Sequence, residues 1–124
     1  MIIGIGTDIV HLKRIKKIMT SGNKFIDKIF SDKEKEYLLS RNFSEEYIGG
    51  IFAAKESVAK ALGTGFRNFK FKDIEIIRNS LGMPYVNLKG NAAGLAEKMG
   101  SYKIFISISH EKEYAIAYAI IEVL

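Results

Sequence analysis

Glu56 and Lys60 stand four residues apart in "FAAKESVAKALGTG" (residues 52–65), which puts a carboxylate and an ammonium on one helix face. Asp8 stands in "GIGTDIV", an acid among glycines and apolar residues. As a solvated ion pair, Glu56 and Lys60 would contribute only ~0.2–0.5 kcal/mol. A different chemistry opens if the segment carrying Asp8 meets this helix. Two carboxylates could then converge on a hard divalent cation such as Mg²⁺, which completes its shell with water and substrate phosphates. Lys60 would face phosphate oxygen as charge develops on a leaving group. Lys55 lies one position off that face and can bridge the helix edge to a ligand. Gly63, Thr64 and Gly65 offer backbone N–H groups and a hydroxyl, without the spacing of a P-loop. "SISH" (residues 107–110) adds Ser109 and His110. Strand parity sends His110 coreward with Ile106 and Ile108, whereas a strand end can turn the ring into a cleft. Neither it nor His11 has the partner spacing of a catalytic triad.

These residues need elements to position them. Residues 2–10 alternate as a strand, with Ile3, Ile5 and Ile9 on one parity and Gly4, Gly6 and Asp8 on the other. The isoleucines are expected to be buried, and the glycines and carboxylate to face away. Leu12, Ile15 and Met19 suit the inner face of a helix that turns Arg14 and Lys17 outward. A further apolar pattern runs over Phe25–Phe30. Ser31 and Glu34 form a capping-box pattern at the start of a short helix. Residues 45–62 give the clearest helix, with small alanines for close packing and Gly63 and Gly65 to end it. Strands follow over 71–78 and from Pro84, then a short helix in "NAAGLAEKMG" and two strands in "YKIFISISH" and "EYAIAYAIIEV". This order predicts one α+β domain over residues 1–124, built on an antiparallel or mixed sheet.

Composition narrows the classes. The chain has no cysteine, which excludes disulfides, thiolate metal sites and a cysteine nucleophile. The start, "MIIGIGTDIV", lacks the basic segment and length of a signal peptide or transmembrane span, so a cytoplasmic protein is the simplest expectation. Net charge is +5, and the excess gathers between Ile9 and Ser31, where six lysines and arginines are opposed only by Asp27. Such a surface suits an acidic protein, a phosphorylated metabolite or nucleic acid. Two other readings use these features: a different Mg²⁺-dependent phosphoryl-transfer enzyme, and a noncatalytic nucleic-acid-binding module using the 13–28 patch. Against the module stand the missing paired aromatics, GXXG clamp and zinc ligands.

Taken in order, "GIGTDIVHLKRI" (4–15), "FAAKESVAKALGTG" and the late "SISH", with "DIEI" and "GMPYV" between, resemble the holo-[acyl-carrier-protein] synthases. The resemblance implies a 4′-phosphopantetheinyl transferase-like fold, a mainly antiparallel sheet packed with helices. It implies transfer of 4′-phosphopantetheine from coenzyme A to a serine of apo-acyl carrier protein, in fatty acid biosynthesis, without nucleic acid or membrane. Asp8 and Glu56 would bind Mg²⁺, and Lys60 would stabilise the departing phosphate. The serine proton would pass to a water, to Glu56 or to His110. Lys55, Lys60, Gly63, Thr64, Gly65, Pro84, Ser109 and His110 would border coenzyme A. Lys13, Arg14 and Lys17 would receive the acidic carrier, and a homotrimer would place active sites between subunits. Two positions depart from the family pattern: Ile51 and Met83 stand where relatives often carry cations, which implies either weaker coenzyme A binding or replacement by Lys55, Arg67 or Lys72.

Overall fold

In the computed structural model, which describes residues 1–124, the first strand turns its glycines inward and its isoleucines outward. This β1 (Ile2–His11) leaves Ile5 72% and Ile9 61% exposed, while Gly6 is buried. The expected burial of Ile3, Ile5 and Ile9 is therefore reversed. The cause is the long helix α4 (Glu45–Ala61), whose backbone lies so close to β1 that side chains cannot stand between them. A Cβ built on Gly4 would overlap the Ala61 carbonyl oxygen, and one on Gly6 the Ser57 carbonyl oxygen. Period-two alternation identifies two faces, but here backbone approach decides which of them is inside.

Between these elements lie α1 (Leu12–Met19), α2 (Lys24–Ile29) and α3 (Asp32–Ser40). Leu12 and Ile15 of α1 are buried, as their spacing predicts, and Lys13, Arg14 and Lys17 are exposed. No acid occupies the first turn of α1, and its N-cap is His11, whose Nδ1 accepts from the Lys13 N–H at 3.3 Å. The capping box of α3 is present. The Glu34 carboxylate accepts from the Ser31 N–H at 2.8 Å, and Ser31 Oγ accepts from the Glu34 N–H at 3.3 Å.

After one 3₁₀ turn, Phe71–Asp73, come β2 (Ile74–Arg78), β3 (Pro84–Leu88), α5 (Gly90–Glu97), β4 (Tyr102–His110) and β5 (Tyr114–Val123). Pro84 opens β3, where its missing N–H breaks no ladder. The strands form two antiparallel sheets, one ordered β1-β5-β4 and a hairpin of β2 with β3. Helices pack against these sheets, giving an α+β fold.

The core lies between α4 and the inner face of the larger sheet. Ala115, Ala117 and Ala119 line that face opposite Ala53, Ala54, Val58 and Ala61. Small residues on both sides let α4 cross the sheet closely. A Cβ on Gly50 would meet Ile108 of β4 at 3.0 Å, while the C-terminal half of α4 rests on β1. No helix is long and apolar enough to cross a membrane.

Candidate functional site

Asp8 shares the glycine parity of β1, so it faces α4, and the Lys60 ammonium reaches it. Lys60 Nζ donates to the Thr7 carbonyl oxygen at 2.9 Å and to Asp8 Oδ1 at 3.4 Å. Glu56 lies one helical turn before Lys60 and feels the charge of Asp8. Burial pushes the Asp8 carboxyl above the ordinary aspartate range, against the pull of Lys60 and Arg14. Burial first, and Asp8 second, push Glu56 upward as well, again opposed by Lys60 and Arg14. The three residues singled out by spacing thus form one cluster, and Arg14 of α1 joins its electrostatic field.

Lys55 departs from its expected place beside a ligand. Its side chain is 0% exposed, paired with Glu34 Oε1 at 2.8 Å. It also donates to the Phe71 and Ile74 carbonyl oxygens, at 3.0 and 2.7 Å. An ammonium has three donors, and here all three are spent inside the protein. Glu34 in turn accepts from the Ile76 N–H at 2.8 Å, so this buried pair ties α3, α4 and β2 together. Lys55 is a structural cation, and no donor remains for a phosphate.

The Gly63–Gly65 turn follows Lys60 directly. Gly63 and Gly65 adopt φ of +88° and +61°, a region that favours glycine. Their N–H groups donate to Lys60 and Ala59 carbonyl oxygens, and the Thr64 hydroxyl donates to Gly65 O. The turn closes α4, and these particular donors are already used.

His110 and Pro84 lie elsewhere, in a cavity of about 760 Å³ between α3, the start of α4, the β2–β3 hairpin and β4. His110 keeps the parity of Ile106 and Ile108 but sits at the strand end, exposed, with its ring 5.1 Å from that of Tyr47. Ser109 points to the opposite face of the sheet, near Ile9 and Ile116. The cavity contains cations that the sequence did not single out. The Arg41 guanidinium lies 5.2 Å from the Tyr47 ring, and that of Arg78 lies 4.7 Å from the Tyr37 ring. No acidic side chain lines the space. Arg78 and Tyr37 are 41 positions apart, so no local spacing rule could have joined them. The replacements considered for the missing cations lie elsewhere. Lys55 is buried, while Arg67 and Lys72 border separate depressions. Ile51 is packed in the core, and Met83 lines the cavity. Asp8, Glu56 and Lys60 do not line it, so one chain keeps the two groups apart.

Comparison with known proteins gives a consistent picture. Residues 4–119 match the model of the 4′-phosphopantetheinyl transferase superfamily. The chain is 59% identical to the holo-[acyl-carrier-protein] synthase of Clostridium novyi over 123 residues, covering 99% of this chain and 89% of that protein. Its fold is similar to the crystal structure of the holo-[acyl-carrier-protein] synthase from Neisseria meningitidis, with TM-score 0.92, 34% identity, and coverage of 99% and 100%. It is also similar to the Bacillus anthracis synthase in complex with CoA (3′,5′-ADP), with TM-score 0.79, 32% identity, and coverage of 98% and 96%.

Proposed function

The chain belongs to the 4′-phosphopantetheinyl transferase superfamily, and on that premise we propose that it transfers 4′-phosphopantetheine from coenzyme A to a serine hydroxyl of apo-acyl carrier protein, releasing adenosine 3′,5′-bisphosphate. The observation that carries this reading is the meeting of Asp8, Glu56 and Lys60 where α4 touches β1. Two carboxylates without a third histidine, cysteine, aspartate or glutamate beside them suit Mg²⁺, which draws its other ligands from water and substrate. Bound between Asp8 and Glu56, Mg²⁺ would neutralise the coenzyme A pyrophosphate.

The carrier serine oxygen attacks the β-phosphorus, and the bond to the adenosine bisphosphate oxygen breaks. Lys60 donates to the leaving phosphate, where negative charge grows. Glu56 would be engaged as a ligand and so poorly placed to act as a base as well, which leaves water within reach of the carboxylates to take the serine proton. The nucleotide occupies the His110 cavity. Tyr47 and His110 present flat surfaces to the base, Pro84 borders it, and Arg41 and Arg78 supply unpaired positive charge. The Gly63–Gly65 turn shapes the passage beside Lys60. Exposed Lys13, Arg14 and Lys17 on α1 receive the acidic carrier, steering its approach.

A homotrimer completes the site by bringing the cavity of one subunit to the carboxylates of the next. The exposed apolar face of the larger sheet supports such an assembly. Mixing the protein with Mg²⁺, coenzyme A and apo-acyl carrier protein should raise the carrier's mass by one phosphopantetheine group. An unchanged mass, with both substrates competent, overturns the reading.

A further inference from the structure

The Lys60 ammonium occupies the place that a divalent cation would seek beside Asp8. It contacts two oxygens of adjacent β1 residues, the Thr7 carbonyl at 2.9 Å and Asp8 Oδ1 at 3.4 Å. The two partners differ in freedom. The Lys60 side chain is 53% exposed and that of Asp8 only 17%, so the ammonium can swing outward while the carboxylate stays. Thr7 lies on β1, an edge strand of its sheet, so its carbonyl oxygen can be reached from outside the ladder. The local charges balance, with Asp8 and Glu56 opposed by Lys60 and Arg14.

We propose that Lys60 is a displaceable counter-ion, competing with a divalent cation for Asp8 and turning to the substrate phosphates when it is displaced. The inference rests on the reading that Asp8 and Glu56 hold the metal. Adding a charge of +2 beside Asp8 repels the cation in direct contact with that carboxylate, and the 3.4 Å contact and half-exposed side chain of Lys60 let it leave. An incoming pyrophosphate restores neutrality and gives the released ammonium an anionic partner. Metal and coenzyme A then assist each other's binding partly through Lys60, and linkage makes that assistance reciprocal. The same residue that weakens binding of metal alone strengthens binding of metal with substrate.

Mn²⁺ titrations followed by electron paramagnetic resonance, without coenzyme A, test this directly. Lys60→Met should bind Mn²⁺ about three- to five-fold more tightly than the native protein, the range available to a partly exposed ion pair. Arg14→Met, which removes charge but no hydrogen bond to Asp8, should gain less. Adding coenzyme A should tighten Mn²⁺ binding by a smaller factor in Lys60→Met than in the native protein. Acetylation of the Lys60 amine in the native chain, mapped by mass spectrometry, should accelerate when Mg²⁺ is added alone. Equal or weaker Mn²⁺ binding by folded Lys60→Met overturns the competition, as does an equal gain in Arg14→Met. Lys60 labelling that ignores Mg²⁺ overturns it even if the variant fails to fold. Mn²⁺ bound by the native protein but lost in Asp8→Asn leaves the metal-site reading standing, whichever way Lys60 behaves. No Mn²⁺ bound by either the native protein or Lys60→Met overturns both.

Discussion

Asp8 and Glu56 are held above their ordinary carboxyl range by burial, and a fold selected only for stability would gain from replacing them with amides. A carboxyl whose pKa is raised on folding must be ionised at a cost at neutral pH, and an amide avoids that cost. Asp8→Asn and Glu56→Gln, melted in a chelator, should therefore unfold at or above the native temperature. Each should nevertheless lower the rate of carrier modification by roughly 100-fold or more, the scale of losing a group that organises transition-state charge. A variant that modifies the carrier at the native rate would remove its residue from the proposed metal site. These residues were legible in the sequence because local rules bring them near: a four-residue helical spacing and a strand parity. Arg41, Tyr47 and Arg78 were not, because they meet only after the β2–β3 hairpin folds beside α3 and α4. Lys55 was misread for a related reason. Spacing put it near the active face, but its partner Glu34 lies on a different helix.

Among the elements, α4 is secured by that buried pair, and the smaller sheet by Glu75. Lys55→Met should leave the Glu34 carboxylate buried without its cation and destabilise the protein by ~3–5 kcal/mol. Urea unfolding measures this, and a variant of native stability with only weakened coenzyme A binding would restore Lys55 to the ligand site. Glu75 accepts from Asn87 at 3.2 Å and Lys89 at 3.0 Å. Burial pushes its pKa upward, but hydrogen bonds from Ser31, Lys89 and Asn87 together with the Lys89 charge outweigh burial and leave it below the ordinary glutamate value. With the folded value depressed, its stabilisation is full above the unfolded pKa of ~4.3 and is lost as pH falls through the folded value. The native protein should therefore lose stability more steeply than Glu75→Gln between about pH 5 and pH 3. Parallel slopes in urea titrations would show that Glu75 does not contribute this way. The elements themselves were largely readable, since capping, proline placement and the two hydrophobic periods all act locally.

At the scale of the molecule, the inverted first strand bears on assembly. Ile5, Ile120 and Phe105 align across β1, β5 and β4 on the outer face, and the next rows carry Tyr118, then Ile9 and Ile116. Ile5, Phe105, Tyr118 and Ile120 are all exposed. The sequence could not show this, because alternation is the same whichever parity faces inward; the close approach of α4 decides it. A contiguous apolar sheet face is costly in water and suits burial against other copies. The separation of Asp8 from the His110 cavity supplies a catalytic reason for the same contact. Ile120→Lys places a charge in the middle of the aligned row while leaving the alanine face of β5 in the core. Sedimentation should find the native chain at three times the monomer mass and this variant as a folded monomer. That monomer should lose carrier modification although Asp8, Glu56 and Lys60 are untouched, since each carboxylate pair would lack a neighbour's nucleotide cavity. A fully active monomer would instead mean that one chain completes the site alone, and the outer face would then need another explanation.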